Sequence, residues 1–149
     1  MHLTKVRDLL KVEEQLPAPE VEDFLKLYRC KSNDVLLADW SGILYADRAR
    51  AGCTAILDTL RAHPFPKILN NNIKVTGHYP GAIEWVGKVW FPGMYALGTR
   101  HFAWVYSPAF YTQISTDEIV KLSSKVEIQT FYDIEDACQW LLATPSPGE

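Results

Sequence analysis

Asn70-Asn71-Asn72, Thr76, His78 and Tyr79 crowd three amides, a hydroxyl, an imidazole and a phenol into the segment NNNIKVTGHY. Amides can hold a polar ligand head, or they can satisfy the backbone of a turn. Imidazole titrates near neutrality and can act as an acid or a base. His78 has no Ser, Cys or carboxylate in this segment to activate, so a nucleophile would have to come from elsewhere in the fold. No GxSxG, P-loop, HExxH or GxGxxG pattern occurs in the chain, which removes the commonest hydrolase, nucleotide and zinc-protease readings. Cys30, Cys53 and Cys138 are too far apart for a CxxC motif or zinc knuckle. Asp39 and Asp47 are the nearest thing to a carboxylate pair, but Asp39 falls inside a strand pattern and Asp47 at a helix start, where an acid complements the dipole.

The second unusual feature is aromatic. Trp85, Trp90, Phe91, Tyr95, Trp104, Tyr106, Phe110 and Tyr111 fall within one third of the chain. Most are expected in the core. Trp85 and Trp90 point in different directions on a helix of about 3.6 residues per turn, so one of them is expected at the surface. An exposed aromatic beside Pro92 would mark an apolar cleft or a dimer interface.

The elements that must position these residues can be read from periodicity. Leu3, Val6 and Leu10 keep helical spacing until Pro17 and Pro19 end any helix, and residues 1–20 read as an N-terminal extension. Phe24–Cys30 and Val35–Trp40 read as two antiparallel strands joined at Lys31-Ser32-Asn33-Asp34. Ser41-Gly42 ends the second of them. Ala49, Cys53, Ile56, Leu57 and Leu60 form one apolar stripe on a helix over about 47–62. A short strand, 67–70, precedes the polar loop 70–79. A helix over 80–97 follows, with Pro92 breaking it near 88–91 and Gly98 as its C′ residue. FAWVY, 102–106, is apolar at every position, as a strand covered on both faces requires. Ser115 or Thr116 is expected to cap a short helix to about 124. Residues 126–132 form the last strand and Asp133 caps the last helix. The tail 144–149, TPSPGE, is expected to be disordered.

The sum is a single α/β domain over 21–143: a five-stranded mixed sheet with an N-terminal β-hairpin and about four helices. VLLADW and FAWVY are expected as neighbours in one layer. Ligands in such sheets sit beyond the carboxyl ends of parallel strands. Here those ends are Trp40-Ser41-Gly42, Asn70–Tyr79, Ser107–Gln113 and Tyr132-Asp133.

Bulk properties narrow the partners. At 149 residues, 48% apolar and 22% charged, the chain has ordinary globular composition and can bury about 70% of its unfolded surface without a metal or disulfide staple. The net charge is −3 and the 15 basic residues are scattered, so the basic stripe of a nucleic-acid binder is missing. No apolar run approaches the ~20 residues of a membrane span. The start, MHLTKVRDLLKVEEQL, does not read as a signal peptide. Widely spaced, odd-numbered cysteines suit a reducing compartment, and the expected location is the cytoplasm.

The strand ending Trp40-Ser41-Gly42, the helix start at Asp47, Trp85 and Trp90-Phe91-Pro92, Gly98 before FAWVY, and Phe131-Tyr132-Asp133 followed by Ala137 and Trp140-Leu141 together resemble small bacterial SpoIIAA-like proteins of the STAS fold, grouped with SEC14-like domains. The resemblance covers roughly 24–142. It implies a non-catalytic domain that binds a partner protein or a small ligand. In the phosphorylation-switched members a Ser or Thr stands at the N-terminus of the helix after the second parallel strand; the equivalent loop here contains no Ser, and its one hydroxyl is Thr76.

Three functions follow as expectations. The first is a binding or regulatory module, not an enzyme and without a cofactor, that engages a partner protein or a second copy of itself. The second is a carrier of a small apolar ligand in a cleft lined by helix 80–97. The third is a small hydrolase-like enzyme using the 70–79 loop. The binding candidates are Trp40, Asn70, Asn71, Asn72, Thr76, His78, Tyr79, Trp90, Phe91 and Tyr111.

Overall fold

A computed structural model describes residues 2–145. The polypeptide begins with helix α1 (His2–Leu10) and strand β1 (Val12–Leu16), joined through Lys11 at φ 53°. A 3₁₀ turn, Pro19–Val21, leads into β2 (Leu25–Cys30) and β3 (Val35–Ile43). Then α2 (Ala46–Ala62), β4 (Lys67–Thr76) and the long helix α3 follow. Helix α3 is assembled from Pro80–Trp85, a π-helical turn Val86–Trp90 and Phe91–Ala96. The chain closes with β5 (His101–Val105), α4 (Phe110–Leu122), β6 (Glu127–Phe131) and α5 (Ile134–Ala143).

The six strands form one sheet in the order β1-β2-β3-β4-β5-β6. β1, β2 and β3 run antiparallel as a meander, and β3 to β6 are parallel. Each parallel crossover advances the sheet in the same direction. Right-handed crossovers then place all their helices on one face, and α2, α3 and α4 do share a single core with Trp40, Phe102 and Trp104. Helices α1 and α5 cover the other face, where Val6, Leu10, Leu37, Leu69, Val105, Ala137 and Leu141 meet. From Phe102 to Val105 strand β5 is apolar because it is covered on both sides.

Several expectations need correction. The sheet has six strands, not five, because residues 12–16 of the supposed extension pair with β2 and form its edge. Residues 6–16 are thus integral to the domain, with Val6 and Leu10 buried in the second core and 12–16 in the sheet. VLLADW and FAWVY share the sheet but are separated by β4. Neither Ser41-Gly42 nor Asn70 ends a strand: β3 continues to Ile43 and β4 to Thr76 because each supplies the other's main-chain partners, Gly42 opposite Val75 and Ile43 opposite Thr76. Residues 70–76 are strand, not loop. Ser115 and Thr116 lie buried inside α4, which starts five residues earlier than the expected cap. Their hydroxyls bond back to the carbonyls of Tyr111 and Thr112 one turn away, which lets polar residues face inward and hides the helix from a hydropathy reading.

Pro92 does not break α3. A π turn precedes it, in which the Phe91 N–H reaches the Val86 carbonyl five residues back, and the helix resumes with Pro92 in its first turn, where a missing donor is tolerated. The end of α3 is as expected. Gly98, at φ 106°, donates to the Tyr95 carbonyl, and Thr99 donates to Met94, which together make a Schellman motif. Asp133 caps α5 by accepting from the Glu135 N–H at 2.7 Å. Of the expected disordered tail 144–149, residues 146–149 lie outside the described residues. The Thr144 carbonyl accepts from Lys67 Nζ at 2.7 Å.

Candidate functional site

The segment Asn70–Tyr79 is divided among three places by the alternation of β4 and by the turn after it. Asn70 and Asn72 face the α2–α4 side. Asn70 Oδ1 accepts the indole N–H of Trp40 at 2.7 Å. Trp40, Asn70, Asn72, Tyr79 and Trp90 line one internal space, together with Leu44, Cys53 and Trp104. Its volume is about 20 Å³, and the side chains around it are buried. That is room for about one water molecule. Asn72 Oδ1 and Trp104 Nε1, both lining this space, have no protein partner. Trp90 donates its indole N–H to the Cys53 carbonyl at 2.9 Å. Burial raises the Tyr79 phenol above its ordinary value, with the neighbouring Cys53 adding to the shift. Phe91 belongs to the core alone, edge-on to Phe102 with ring centroids 4.8 Å apart.

Asn71 faces the α1–α5 side. Its amide donates to Asp39 Oδ1 at 3.1 Å and its oxygen accepts the Ile73 N–H at 3.2 Å. Lys74 Nζ holds the other oxygen of Asp39 at 3.0 Å. This network spans the irregularity where β4 inserts an extra residue against β3, and it satisfies a nearly buried carboxylate.

Thr76, His78 and Tyr111 are exposed. His78 packs at a tilt against Tyr111, ring centroids 5.8 Å apart, and its Nδ1 lies 3.4 Å from Ser115 Oγ. That Ser is fully buried and also within 3.3 Å of the Tyr111 carbonyl as a donor. A hydroxyl so placed cannot meet a substrate, and the geometric requirement for a nucleophile and its base on one accessible surface is not satisfied by this pair.

The carboxyl ends of the strands hold a different feature. A cleft of about 320 Å³ opens at the tips of β4, β5 and β6, lined by Ile73, Tyr106, Ser107, Pro108, Gln113, Tyr132, Asp133 and Ile134. Its walls are held by the chain's own bonds. The Ser107 hydroxyl donates to the Val75 carbonyl and accepts the Ala109 N–H, and Gln113 Nε2 donates to the Ser107 carbonyl at 2.9 Å. Tyr106 donates to Asp117 at 2.5 Å and stacks on Tyr132 at 4.7 Å. Burial is the main cause that raises the Tyr106 phenol, followed by its bond to Asp117. Large exposed apolar side chains gather at this end of the sheet: Ile43 at the end of β3 and Tyr45 after it, Phe110 and Tyr111 after β5, Tyr132 after β6. Of these only Tyr111 was among the sequence candidates. Phe110 stands in the aromatic cluster and in the strand-end segment Ser107–Gln113, and Tyr132 in Tyr132-Asp133; Ile43 and Tyr45 carry no signal, because the sequence reads β3 as ending at Ser41-Gly42. The expected exposed tryptophan is only half-met: Trp90 is buried, and Trp85 is half-buried beneath Arg50, 5.8 Å from the guanidinium.

Among the described residues no cluster of three or more His, Cys, Asp or Glu side chains could hold a metal ion, and no helix is long and apolar enough to cross a membrane. No protein-family model and no curated protein matches this sequence.

Proposed function

We propose that this protein is a binding module of the cytoplasm that engages a partner protein through the aromatic end of its sheet. The observation that carries the reading is the concentration of exposed large apolar residues there: Ile43, Tyr45, Phe110, Tyr111 and Tyr132 account for most of those on the described surface. Aromatic residues that one end presents together are the anchors from which protein contacts draw most of their energy. The closed core argues the same way, since an internal space of about 20 Å³ between α3 and the sheet is far below the ~300–1,000 Å³ of a small-molecule pocket. The carrier reading is therefore the weaker one, and the hydrolase-like reading lacks an accessible nucleophile beside His78. The parallel strands with helices on both faces support kinship with the bacterial SpoIIAA-like (STAS) proteins, whose members bind rather than catalyse. The exposed Thr76 at the end of β4 is the residue on which a phosphorylation switch would act.

The test is affinity capture from host lysate with wild type and the Phe110→Ser/Tyr111→Ser variant, which removes exposed rings without cutting a side-chain hydrogen bond. A protein retained by wild type and lost from the variant supports the reading. Equal capture by both, or a small molecule found on the purified protein by native mass spectrometry, overturns it.

A further inference from the structure

The two edges of the sheet are built differently. β1 carries Glu13 and Glu14, has a register irregularity between Val12 and Glu14, and is short, the devices that keep an edge from pairing with another chain. β6 is equally short and begins on one acid, Glu127, but its register against β5 is unbroken and its three central residues, Ile128, Gln129 and Thr130, carry no charge. It pairs only with β5. The Glu127 N–H and the Phe131 carbonyl bond toward β5, to the Arg100 carbonyl and the Tyr106 N–H. The alternation of a strand then turns the main-chain groups of Ile128 and Thr130 outward.

We propose that β6 is the contact edge of a two-fold dimer, in which two copies join their sheets through antiparallel β6 strands with Gln129 on the axis. The inference does not rest on the proposed function, although the seam it describes reaches the rim of the aromatic cleft at Asp133. Three observations select the occupant and the register. The outward groups of Ile128 in one copy meet those of Thr130 in the other, twice, for about four main-chain hydrogen bonds. Continued past the strand ends, through Lys125 at φ 78° and the helix-capping Asp133, the same register brings exposed Lys125 toward the partner's exposed Asp133 on both sides, so the charges complement. Moving by one pairing step in one direction brings Glu127 against Asp133, acid on acid, and in the other direction leaves Lys125 against Phe131. Like charges directly opposite are unfavourable, which disfavours the first shift, and the second loses both ion pairs, so the Gln129-centred pairing is the one with charges matched at both ends. The Lys125 ammonium is free to move to this position, since its present neighbour is the Tyr95 ring at 5.8 Å. Because the strands run antiparallel, the two aromatic clefts lie at opposite ends of the dimer, each open to its own partner.

The experiment uses the whole chain. Light scattering after gel filtration is expected to give twice the chain mass for wild type and the monomer mass for Gln129→Lys, which places two ammonium groups on the axis. Gln129 is exposed, and an unchanged far-ultraviolet circular dichroism spectrum shows that the variant folds. Lys125→Glu is expected to raise the dimer dissociation constant about tenfold or more. Under mild oxidation Gln129→Cys is expected to form a disulfide-linked dimer, because its Cβ atoms face each other about 4.5–5.5 Å apart. The three natural cysteines are buried and do not compete. A wild-type monomer, a Gln129→Lys dimer, or cross-linking through Ile128→Cys or Thr130→Cys rather than Gln129→Cys overturns the proposal. Phe110→Ser/Tyr111→Ser leaves β6 intact, so failure at the cleft and failure at the edge are told apart.

Discussion

At the scale of single residues, the unusual property of this protein is polar chemistry inside a strand. Three consecutive asparagines in β4 are each nearly buried. A buried donor or acceptor without a partner costs about 1–3 kcal/mol; two of the three amides are answered within the sheet, and Asn72 Oδ1 is not. Asn70 answers Trp40 and Asn71 answers Asp39. Asn70→Leu strips the acceptor from the Trp40 indole and is expected to destabilise the fold by about 1–3 kcal/mol in urea unfolding. Adding Trp40→Phe to that background removes the orphaned donor, and part of the loss should return. If the double variant is worse by the sum of the two single losses, the bond is not what stabilises the strand. This is also where the sequence was hardest to read. Asn is a turn former by local chemistry, and nothing within ten residues of Asn70 announces a partner. The partners stand on β3, about thirty positions away in the chain, and only pairing brings them across.

At the scale of elements, what was legible is what depends on local periodicity: the stripe of α2, the capped start of α5 and the Schellman end of α3. What was not legible depends on neighbours. β1 is too short and too charged to stand as a strand without β2, and α4 buries hydroxyls that a hydropathy pattern counts as solvent-facing. The Trp40 ring is seated on α2 because Gly52 has no side chain: a Cβ there would lie 2.3 Å from the indole. Gly52→Ala therefore forces helix and strand apart and is expected to cost about 1–3 kcal/mol, read as a lowered denaturation midpoint with an unchanged slope. Helix α5 depends on one buried cation. Lys67, 2% exposed, pairs with Asp34 at 3.2 Å and donates to the Thr144 carbonyl just past the helix end. Lys67→Met leaves Asp34 and that carbonyl without their partner. The last turn of α5, around 141–143, is expected to lose amide-exchange protection before the rest of the helix does. Loss of protection spread evenly over the whole domain would show that Lys67 holds the core and not the helix end.

At the scale of the whole molecule, the two-sided core makes stability depend on alkaline pH. Cys30 and Cys138 are buried in the α1–α5 layer. Burial is the leading cause that pushes both thiols from an ordinary 9.0 up to about 12. Cys53, in the other layer, is shifted the same way by burial alone. Above pH 9 the unfolded chain releases these protons while the folded chain keeps them, so the unfolded state binds fewer protons and stability falls as pH rises. The contribution is whole below pH 9 and is lost between 9 and about 12 as far as Cys30 and Cys138 are concerned. Guanidinium unfolding measured from pH 7 to 11 should give a free energy that is level at first and then declines. Cys30→Ala/Cys138→Ala lowers the curve at every pH, since it leaves cavities, but its decline above pH 9 is expected to be shallower than that of wild type. Tyrosine and lysine titrations are common to both proteins and cancel in the difference. Parallel curves for the two proteins would mean that the thiols are not held neutral by the core, and that water reaches the layer between the sheet and α5.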